Sequence, residues 1–287
     1  MFPKVPDYHK PNKPLVSNGL GVVYVLASVT YLFLLDYFKV VKIDTLNNSA
    51  SPVLTLAVCI LFGGFLGLLD DWMDLRWRYK AFLPIFASLP LAALREGTPT
   101  MSTYFWGKIN FSDYGVFGEA IFYFVIIPLI VTITTNTINQ LGGLNGLETI
   151  CPSIVLFGLL LGSAPAIQIL LIVPLAAYLV LGFFNFRGKI FVGNSGSFAI
   201  GITVASYALI ANIEQTLVIS ILPYVFNSSL ILLCFFLFRK KASVSFDGKR
   251  LFSDHRRSLV TLITYRRPLT ERKVVLIISL LFVLSIS

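Results

Sequence analysis

Two adjacent carboxylates, Asp70 and Asp71, end a long apolar run. Three cations, Arg76, Arg78 and Lys80, follow them. Carboxylates at the end of a buried helix repel each other and also meet the negative end of the helix dipole, so a positive group is expected beside them. The nearby cations would provide it in an ordinary charge cluster at a membrane interface, and a divalent metal with an anionic substrate would provide it in an active site. This stretch alone leaves both interpretations open.

Three asparagines, Asn136, Asn139 and Asn145, surround the pair Gly142-Gly143 in a segment without cations. Asn136 and Asn139 are i,i+3 neighbours on one helix face, and glycine lets the backbone approach a ligand closely. Polar residues at the end of a membrane span can simply hydrogen-bond to neighbouring helices. Three amides around a glycine pair favour a polar ligand or metal site instead.

The segment 185–197 places a Gly-Asn-Ser-Gly-Ser turn just before an apolar run. Backbone N–H groups at the start of a helix form an anion site, and Arg187 and Lys189 add positive charge. Glycine-rich turns are common, so this segment carries little weight by itself.

The basic segment 239–273 contains His255, Arg256 and Arg257 in a row after Asp254. Arginine side chains bind phosphate oxygens in pairs, and a histidine between an acid and two arginines is a better catalytic candidate than an isolated one. A basic loop of this length also suits adhesion to a membrane surface, so the functional interpretation covers only residues 255–257.

The composition indicates which elements must position these residues. The chain has 287 residues, of which 56% are hydrophobic and only 13% charged, and its mean hydropathy is +0.81. Soluble domains are about a quarter charged. We therefore expect a single integral membrane domain over residues 1–287, with no separate polar domain.

Nine apolar runs are long enough, or nearly so, to span a membrane as helices. They cover residues 18–35, 52–69, 81–94, 116–135, 149–163, 166–184, 197–212, 214–238 and 274–287. The predicted fold is all-α, a polytopic transmembrane helical bundle of about nine spans. The centres of the spans are nearly free of charge, which argues against a transporter.

Nine spans place the polar segments 1–17, 70–80, 136–148, 185–196 and 239–273 on one side of the membrane. Of the 23 Lys and Arg residues, all but four lie in these segments, so the positive-inside rule assigns this side to the cytoplasm. The net charge of +9 therefore reflects topology and attraction to anionic lipids, and no nucleic-acid partner is expected. Because every motif above emerges on this side, we expect them to form one site.

The stretches 66–80, 136–148, 184–197 and 254–257 together resemble motifs of a known family. They are similar to those of the polyprenyl-phosphate N-acetylhexosamine-1-phosphate transferase superfamily, glycosyltransferase family 4. Within it, the chain looks most like the eukaryotic and archaeal UDP-GlcNAc:dolichyl-phosphate GlcNAc-1-phosphotransferases. The resemblance implies transfer of GlcNAc-1-phosphate from UDP-GlcNAc to a membrane polyprenyl or dolichyl phosphate, with release of UMP, as the first step of lipid-linked oligosaccharide assembly for N-glycosylation.

The same resemblance implies a set of site residues and a Mg²⁺ or Mn²⁺ cofactor. The catalytic residues would be Asp70, Asp71 and His255, the substrate-binding residues Lys80, Asn136, Asn145, Glu148, Lys189, Arg256 and Arg257, and the metal ligands Asn139 and Asn194. Asp70 and Asp71 would orient or deprotonate the acceptor phosphate. Lys80 and the two arginines would bind phosphates, and Asn145 would contact the uridine region.

The chain departs from the family pattern in ways that leave alternatives open. Asn194 stands where the family carries a metal-binding aspartate, which allows a catalytically impaired homologue or mutant. A related transferase that uses another UDP-amino sugar is the second alternative. The family's first span has no counterpart before residues 7–20, so the start of the chain is expected to be truncated or misassigned. An archaeal plasma membrane is favoured over the endoplasmic reticulum because the loops are compact. The sequence leaves open whether the protein forms a homodimer.

Overall fold

The structure is a computed structural model that describes residues 2–41, 51–103, 107–239 and 241–286. These residues are mostly helical. The helices in chain order are α1 Gly21–Tyr37, α2 Pro52–Met73, α3 Trp77–Ala87, α4 Leu89–Ala93, α5 Gly115–Ile121, α6 Ile127–Gln140, α7 Leu147–Gly162, α8 Pro165–Phe186, α9 Gly193–Ile210, α10 Glu214–Ser220, α11 Leu222–Phe238, α12 Leu259–Ile263 and α13 Glu271–Ile286.

The described residues also form three short antiparallel hairpins. The strands are β1 Lys4–Pro6 with β2 Leu15–Ser17, β3 Thr100–Thr103 with β4 Gly107–Asn110, and β5 Ser245–Phe246 with β6 Leu251–Phe252. In the first hairpin Val5 lies opposite Val16, and Phe191 donates its backbone N–H to the carbonyl of Ser17. The N-terminal hairpin is thereby fixed beside the start of α9.

Helix α9 lies at the centre of the bundle. Every residue from Ser195 to Ile210 is buried, as expected for a helix that is surrounded by others on all sides. Glycines let α2 approach it closely. A Cβ at Gly67 would lie 2.2 Å from the carbonyl oxygen of Asn194, and one at Gly63 would lie 2.7 Å from Ile202. Because Gly63, Gly67 and Asp71 recur every four residues, they share one face of α2, and that face brings Asp71 to the first turn of α9.

Prolines account for the main interruptions of the long helices. Residues Phe122–Ile126 form a π-helical turn directly before Pro128, and α10 and α11 meet at an angle of 56° next to Pro223. Proline lacks the N–H that would continue the helical ladder, so the helix bends or changes pitch there.

Each of the nine predicted spans overlaps a helix or a helix pair. By length and composition, however, only three described helices are suited to cross a membrane, namely Pro52–Met73, the stretch Phe111–Gln140 and Pro165–Phe186; the bent pair α10–α11 would make a fourth. The structure thus confirms a helical membrane protein, and the count of nine spans stays a prediction.

Candidate active site

Asp71 caps the N-terminus of α9 from the neighbouring helix. Its Oδ1 accepts the backbone N–H of Asn194 at 2.8 Å and its Oδ2 that of Ser195 at 2.9 Å. N–H groups of a first helical turn have no partner within their own helix, and the positive end of the dipole stabilises a carboxylate there. The positive group expected beside Asp71 is therefore, at least in part, the start of α9.

Asp70 has a different environment. Its Oδ1 forms an ion pair with Lys80 Nζ at 2.9 Å and accepts the backbone N–H of Leu75 at 3.1 Å. Its side chain is fully buried, and within the described part of the chain nothing hydrogen-bonds to Oδ2. Lys80 also lies 3.8 Å from Asp74. The position of Lys80 thus agrees with the interpretation in which a nearby cation neutralises Asp70.

A polar cavity of about 460 Å³ opens between the end of α6, the α6–α7 loop, the start of α9 and the N-terminal hairpin. Four of the predicted site residues line it: Asp71, Asn139, Glu148 and Asn194. They come from three motifs that are far apart in the sequence. The structure therefore brings the carboxylate, asparagine and glycine-turn motifs to one place, as their common side of the membrane predicted.

Asn139 faces the first turn of α9 across this cavity. Its Oδ1 accepts the hydroxyl of Ser197 at 2.7 Å, and the same hydroxyl lies 3.3 Å from the carbonyl oxygen of Asn194. Asn136, one turn earlier, points away and donates to the carbonyl of Ala81 in α3 at 2.9 Å. The two asparagines of this helix end thus have separate surroundings.

The Glu148 carboxylate lies against both residues of the pair Gly142-Gly143. Its Oε1 accepts the backbone N–H of Gly143 at 2.9 Å, and a Cβ at Gly142 would lie 2.9 Å from that same oxygen. Gly143 has φ +96°, which favours glycine. Glu148 precedes the predicted span that starts at residue 149. Burial raises its pKa above the ordinary value, the Gly143 hydrogen bond opposes the rise, and the charge of Asp71 adds to it.

Asn145 is buried behind the cavity in a network that sequence reasoning missed. Its Nδ2 donates to Asp7 Oδ2 at 2.7 Å and to Glu271 Oε1 at 3.1 Å, and its backbone N–H also donates to Glu271. Lys10 forms an ion pair with the other oxygen of Glu271. The network joins the N-terminal hairpin, the α6–α7 loop and α13, so Asn145 fixes the loop that carries Glu148.

The side chains of the motif at 254–257 contact other residues of the 239–273 segment. His255 Nε2 is 3.3 Å from the backbone nitrogen of Ser243, and Arg256 lies over the ring of Tyr265 at 4.2 Å. Arg257 donates to the carbonyl of Lys241 at 2.8 Å. Lys189 is exposed on the α8–α9 loop. None of these four residues lines the cavity in this structure, and their substrate contacts stay predictions.

The cavity also contains residues that the sequence did not single out. Asp7, Tyr8 and His9 of the N-terminal hairpin, together with Asn18 and Phe191, contribute to its wall. A signal was present, because Asp7 is the acid in an otherwise basic polar start of the chain. Asn185 was missed in the same way. It accepts the backbone N–H of Gly146 at 2.7 Å and donates to the carbonyl of Ile190, which joins two of the loops.

The donor atoms in the cavity suit a hard divalent cation. Mg²⁺ binds oxygen, commonly through one or two carboxylates together with substrate phosphates and water, and here carboxylates and amide oxygens line one cavity. Across the described ranges, no three His, Cys, Asp or Glu side chains cluster closely enough to form a metal site by themselves. The residues fit a cation that takes some of its oxygen ligands from the protein and the others from a bound phosphate and water.

Fold and cavity together define a helical membrane protein with an acidic, oxygen-rich site at the end of its central helix. The sequence comparison identifies the family. Residues 53–212 match the model of glycosyl transferase family 4, more than half of the chain, and the chain belongs to this family.

Three relatives illustrate the range of the match. A Saccharolobus solfataricus protein, provisionally named UDP-N-acetylglucosamine–dolichyl-phosphate N-acetylglucosaminephosphotransferase, is 32% identical over 95% of this chain and 82% of its own. The Dictyostelium discoideum protein of that name is 28% identical over 74% of this chain and 59% of its own. A phospho-N-acetylmuramoyl-pentapeptide-transferase of Streptococcus pyogenes is 27% identical over 81% and 70%.

Proposed function

We propose that this protein transfers GlcNAc-1-phosphate from UDP-GlcNAc to a membrane polyprenyl or dolichyl phosphate and releases UMP. The observation that carries the proposal is the cavity in which Asp71, Asn139, Glu148 and Asn194 converge from three motifs. The relatives named for this reaction, 32% and 28% identical, indicate the substrates. The product would be a GlcNAc lipid with a pyrophosphate linkage. Membrane lipids would surround the helical bundle.

The reaction breaks one phosphorus–oxygen bond and forms another. An oxygen of the acceptor phosphate attacks the β-phosphorus of the nucleotide sugar, and the bond from that phosphorus to the bridging oxygen breaks, so that UMP leaves with the electron pair. A phosphate monoester has a second pKa of about 6 and is largely ionised at neutral pH. The acceptor therefore needs orientation more than deprotonation, and phosphoryl transfer depends mainly on positioning and charge neutralisation.

The residues of the chain would share these tasks. Asp71, held rigidly by the first turn of α9, would orient the acceptor, and Lys80 beside Asp70 would attract its phosphate. Asn139 and Asn194 would hold Mg²⁺, or Mn²⁺, which when bound neutralises the pyrophosphate. Arg256 and Arg257 would bind the phosphates, and His255 would lie at the phosphate or sugar of the donor.

A second candidate function concerns the donor sugar. The Streptococcus pyogenes relative is named for transfer of a phospho-N-acetylmuramoyl-pentapeptide, so another UDP-amino sugar is the main alternative within the family. We also propose that the cavity faces the cytoplasm, the side to which the positive-inside rule assigns the basic segments, and we favour an archaeal plasma membrane.

The experiment is UMP release by the purified protein with a polyprenyl phosphate acceptor and a panel of UDP-amino sugars. We expect UDP-GlcNAc to give the highest rate. Asp71→Asn should lower the rate roughly a hundredfold or more, as expected for a positioned acid–base or orienting group. Asp74→Asn is the matched control, because Asp74 is fully exposed. If another UDP-amino sugar gave a higher rate, that sugar would replace UDP-GlcNAc as the proposed donor. If no donor led to UMP release, the proposal would be overturned.

A further inference from the structure

An apolar groove of about 690 Å³ runs along the outside of the bundle between α7, α8 and α13. It is a separate feature from the polar cavity, and the two share no lining residue. Leu161, Leu179 and Phe183 line the groove and are each more than half exposed. The groove therefore faces the membrane rather than the protein core.

The groove is long and dry enough for a single lipid chain. Its α7 wall runs from Thr149 to Leu161, roughly 18 Å along the helix axis, which is comparable with one leaflet of a hydrocarbon core about 30 Å thick. The polar atoms within it are already paired. Thr149 donates to Asn185 and Gly146, and Ser153 donates to the carbonyl of Thr149.

Two arginines lie at the end of this groove where Phe183 and Phe186 line it. Arg187 lies over the ring of Phe183 at 3.8 Å, and Arg272 lies over the ring of Phe186 at 5.7 Å. Both phenylalanines line the groove. Neither arginine forms an ion pair with a carboxylate of the described residues.

Arg272 is also placed where a cation is unfavourable. It lies in the first turn of α13, at the positive end of the helix dipole, which favours anions. Its neighbour Glu271 does not offset this, because that carboxylate is buried and already bound by Lys10 and Asn145. An external anion beside Arg272 would relieve both the dipole and the unpaired charge.

We propose that this groove binds an anionic membrane lipid, with one apolar chain between α7, α8 and α13 and the headgroup phosphate on Arg187 and Arg272. The lipid is distinct from the acceptor of the proposed reaction. Asn145 and Glu271 are buried, and Asn145 donates both to Asp7 of the polar cavity and to Glu271, the neighbour of Arg272, so this paired network separates the two sites along the chain of contacts.

The test measures lipid retention and does not depend on enzymatic activity. Purified full-length protein is incubated with equal amounts of phosphatidylglycerol and phosphatidylcholine that carry identical chains, and the lipids retained are counted by native mass spectrometry. We expect the wild-type protein to prefer phosphatidylglycerol. The double variant Arg187→Gln/Arg272→Gln should reduce that preference roughly tenfold or more, as expected for the loss of two phosphate-facing cations.

The control is Arg250→Gln/Arg267→Gln, which removes the same charge from exposed positions away from the groove and should leave the preference unchanged. Leu179→Trp narrows the groove and should reduce retention of both lipids. An unchanged preference in the first double variant overturns the proposal, and so does displacement of phosphatidylglycerol by added polyprenyl phosphate. A dimer that Leu179→Trp dissociates would show that a second copy fills the groove instead. If Leu179→Trp fails to fold, the two arginine pairs still decide.

Discussion

At the scale of single residues, Asp71 and Asn194 are the most informative pair. Asp71 accepts the backbone N–H of Asn194, and both residues line the cavity. The carboxylate that the family places at position 194 would thus lie at the start of α9, close to Asp71, where the helix dipole favours negative charge. An asparagine there keeps a carbonyl oxygen of similar reach and lacks the charge.

The expected consequence is a raised metal requirement. Asn194→Asp should lower the Mg²⁺ concentration for half-maximal UMP release, because a charged oxygen binds the hard cation more tightly. Asn194→Ala should be slower than the asparagine protein, since no side-chain oxygen is left. A Mg²⁺ titration of the three proteins measures this. Equal rates and equal metal dependence for Asn, Asp and Ala would show that residue 194 does not contact the metal.

If Asn194 is instead an inactivating substitution, the same titration reveals it. The protein would then be nearly inactive at every Mg²⁺ concentration, and Asn194→Asp would restore the rate rather than shift the midpoint.

At the scale of elements, the close contact of α2 with α9 determines the site. Gly63 and Gly67 remove the side chains that would separate the two helices, and Asp71 follows one turn later on the same face. The N-terminal hairpin then covers the cavity, held by the hydrogen bond from Asn145 to Asp7.

Gly67→Ala tests this contact. The added Cβ would overlap the carbonyl oxygen of Asn194, so the helices must separate, at a cost of about 1–3 kcal/mol for an overpacked interior. We expect a lower thermal midpoint and a reduced rate of UMP release. Gly182→Ala is the matched control, because its Cβ would lie 3.4 Å from Thr149, an ordinary contact. Equal stability and activity of the two variants would argue against the role of the α2–α9 contact.

The sequence predicted these elements better than it predicted their contacts. Apolar runs identified every long helix, because burial and membrane insertion both demand them. The glycine face of α2 was visible in the sequence, but its partner helix was not. The network of Asp7, Asn145 and Glu271 was not predictable, because it joins residues more than a hundred positions apart and no periodicity encodes such a pairing.

The same limit applies to the predicted site. Asp71, Asn139 and Glu148 meet Asn194 in the cavity because each lies at the end of a helix that packs on α9, and Asn194 lies in the first turn of α9. Lys80 is paired with Asp70, as the charge-cluster interpretation allows, but the sequence alone did not distinguish Lys80 from Arg76 and Arg78 as the partner. His255 lies in a segment that is held by its own turns and by the capping box of Ser258 and Thr261. The charge pattern of the sequence therefore could not predict where His255 lies.

At the scale of the whole molecule, polar chemistry is concentrated at one end of the bundle. The described parts of the segments 1–17, 70–80, 136–148 and 185–196 meet there through direct hydrogen bonds or the cavity wall. The hairpin β3–β4 lies at the other end, where Thr98 donates to Asn212 just after α9. This polarity matches a protein whose basic end faces one side of a membrane.

Labelling of single cysteines tests the topology. In a background without Cys59, Cys151 and Cys234, cysteines at positions 76 and 255 should react from the cytoplasmic side, and one at position 108 from the outer side. Lys42 is expected on the outer side too and lies outside the described residues. Labelling of positions 76 and 255 from opposite sides would contradict a shared site.

The proposed reaction moves a sugar phosphate, rather than a sugar alone, to the lipid. It is tested most directly with UDP-GlcNAc that carries radioactive phosphorus in its β-phosphate, reconstituted protein and a polyprenyl phosphate. We expect the label to enter the lipid phase and the released nucleotide to be unlabelled UMP, with transfer in Asp71→Asn slower by roughly a hundredfold or more. Labelled UDP or labelled inorganic phosphate in the aqueous phase, with no label in the lipid, would contradict it.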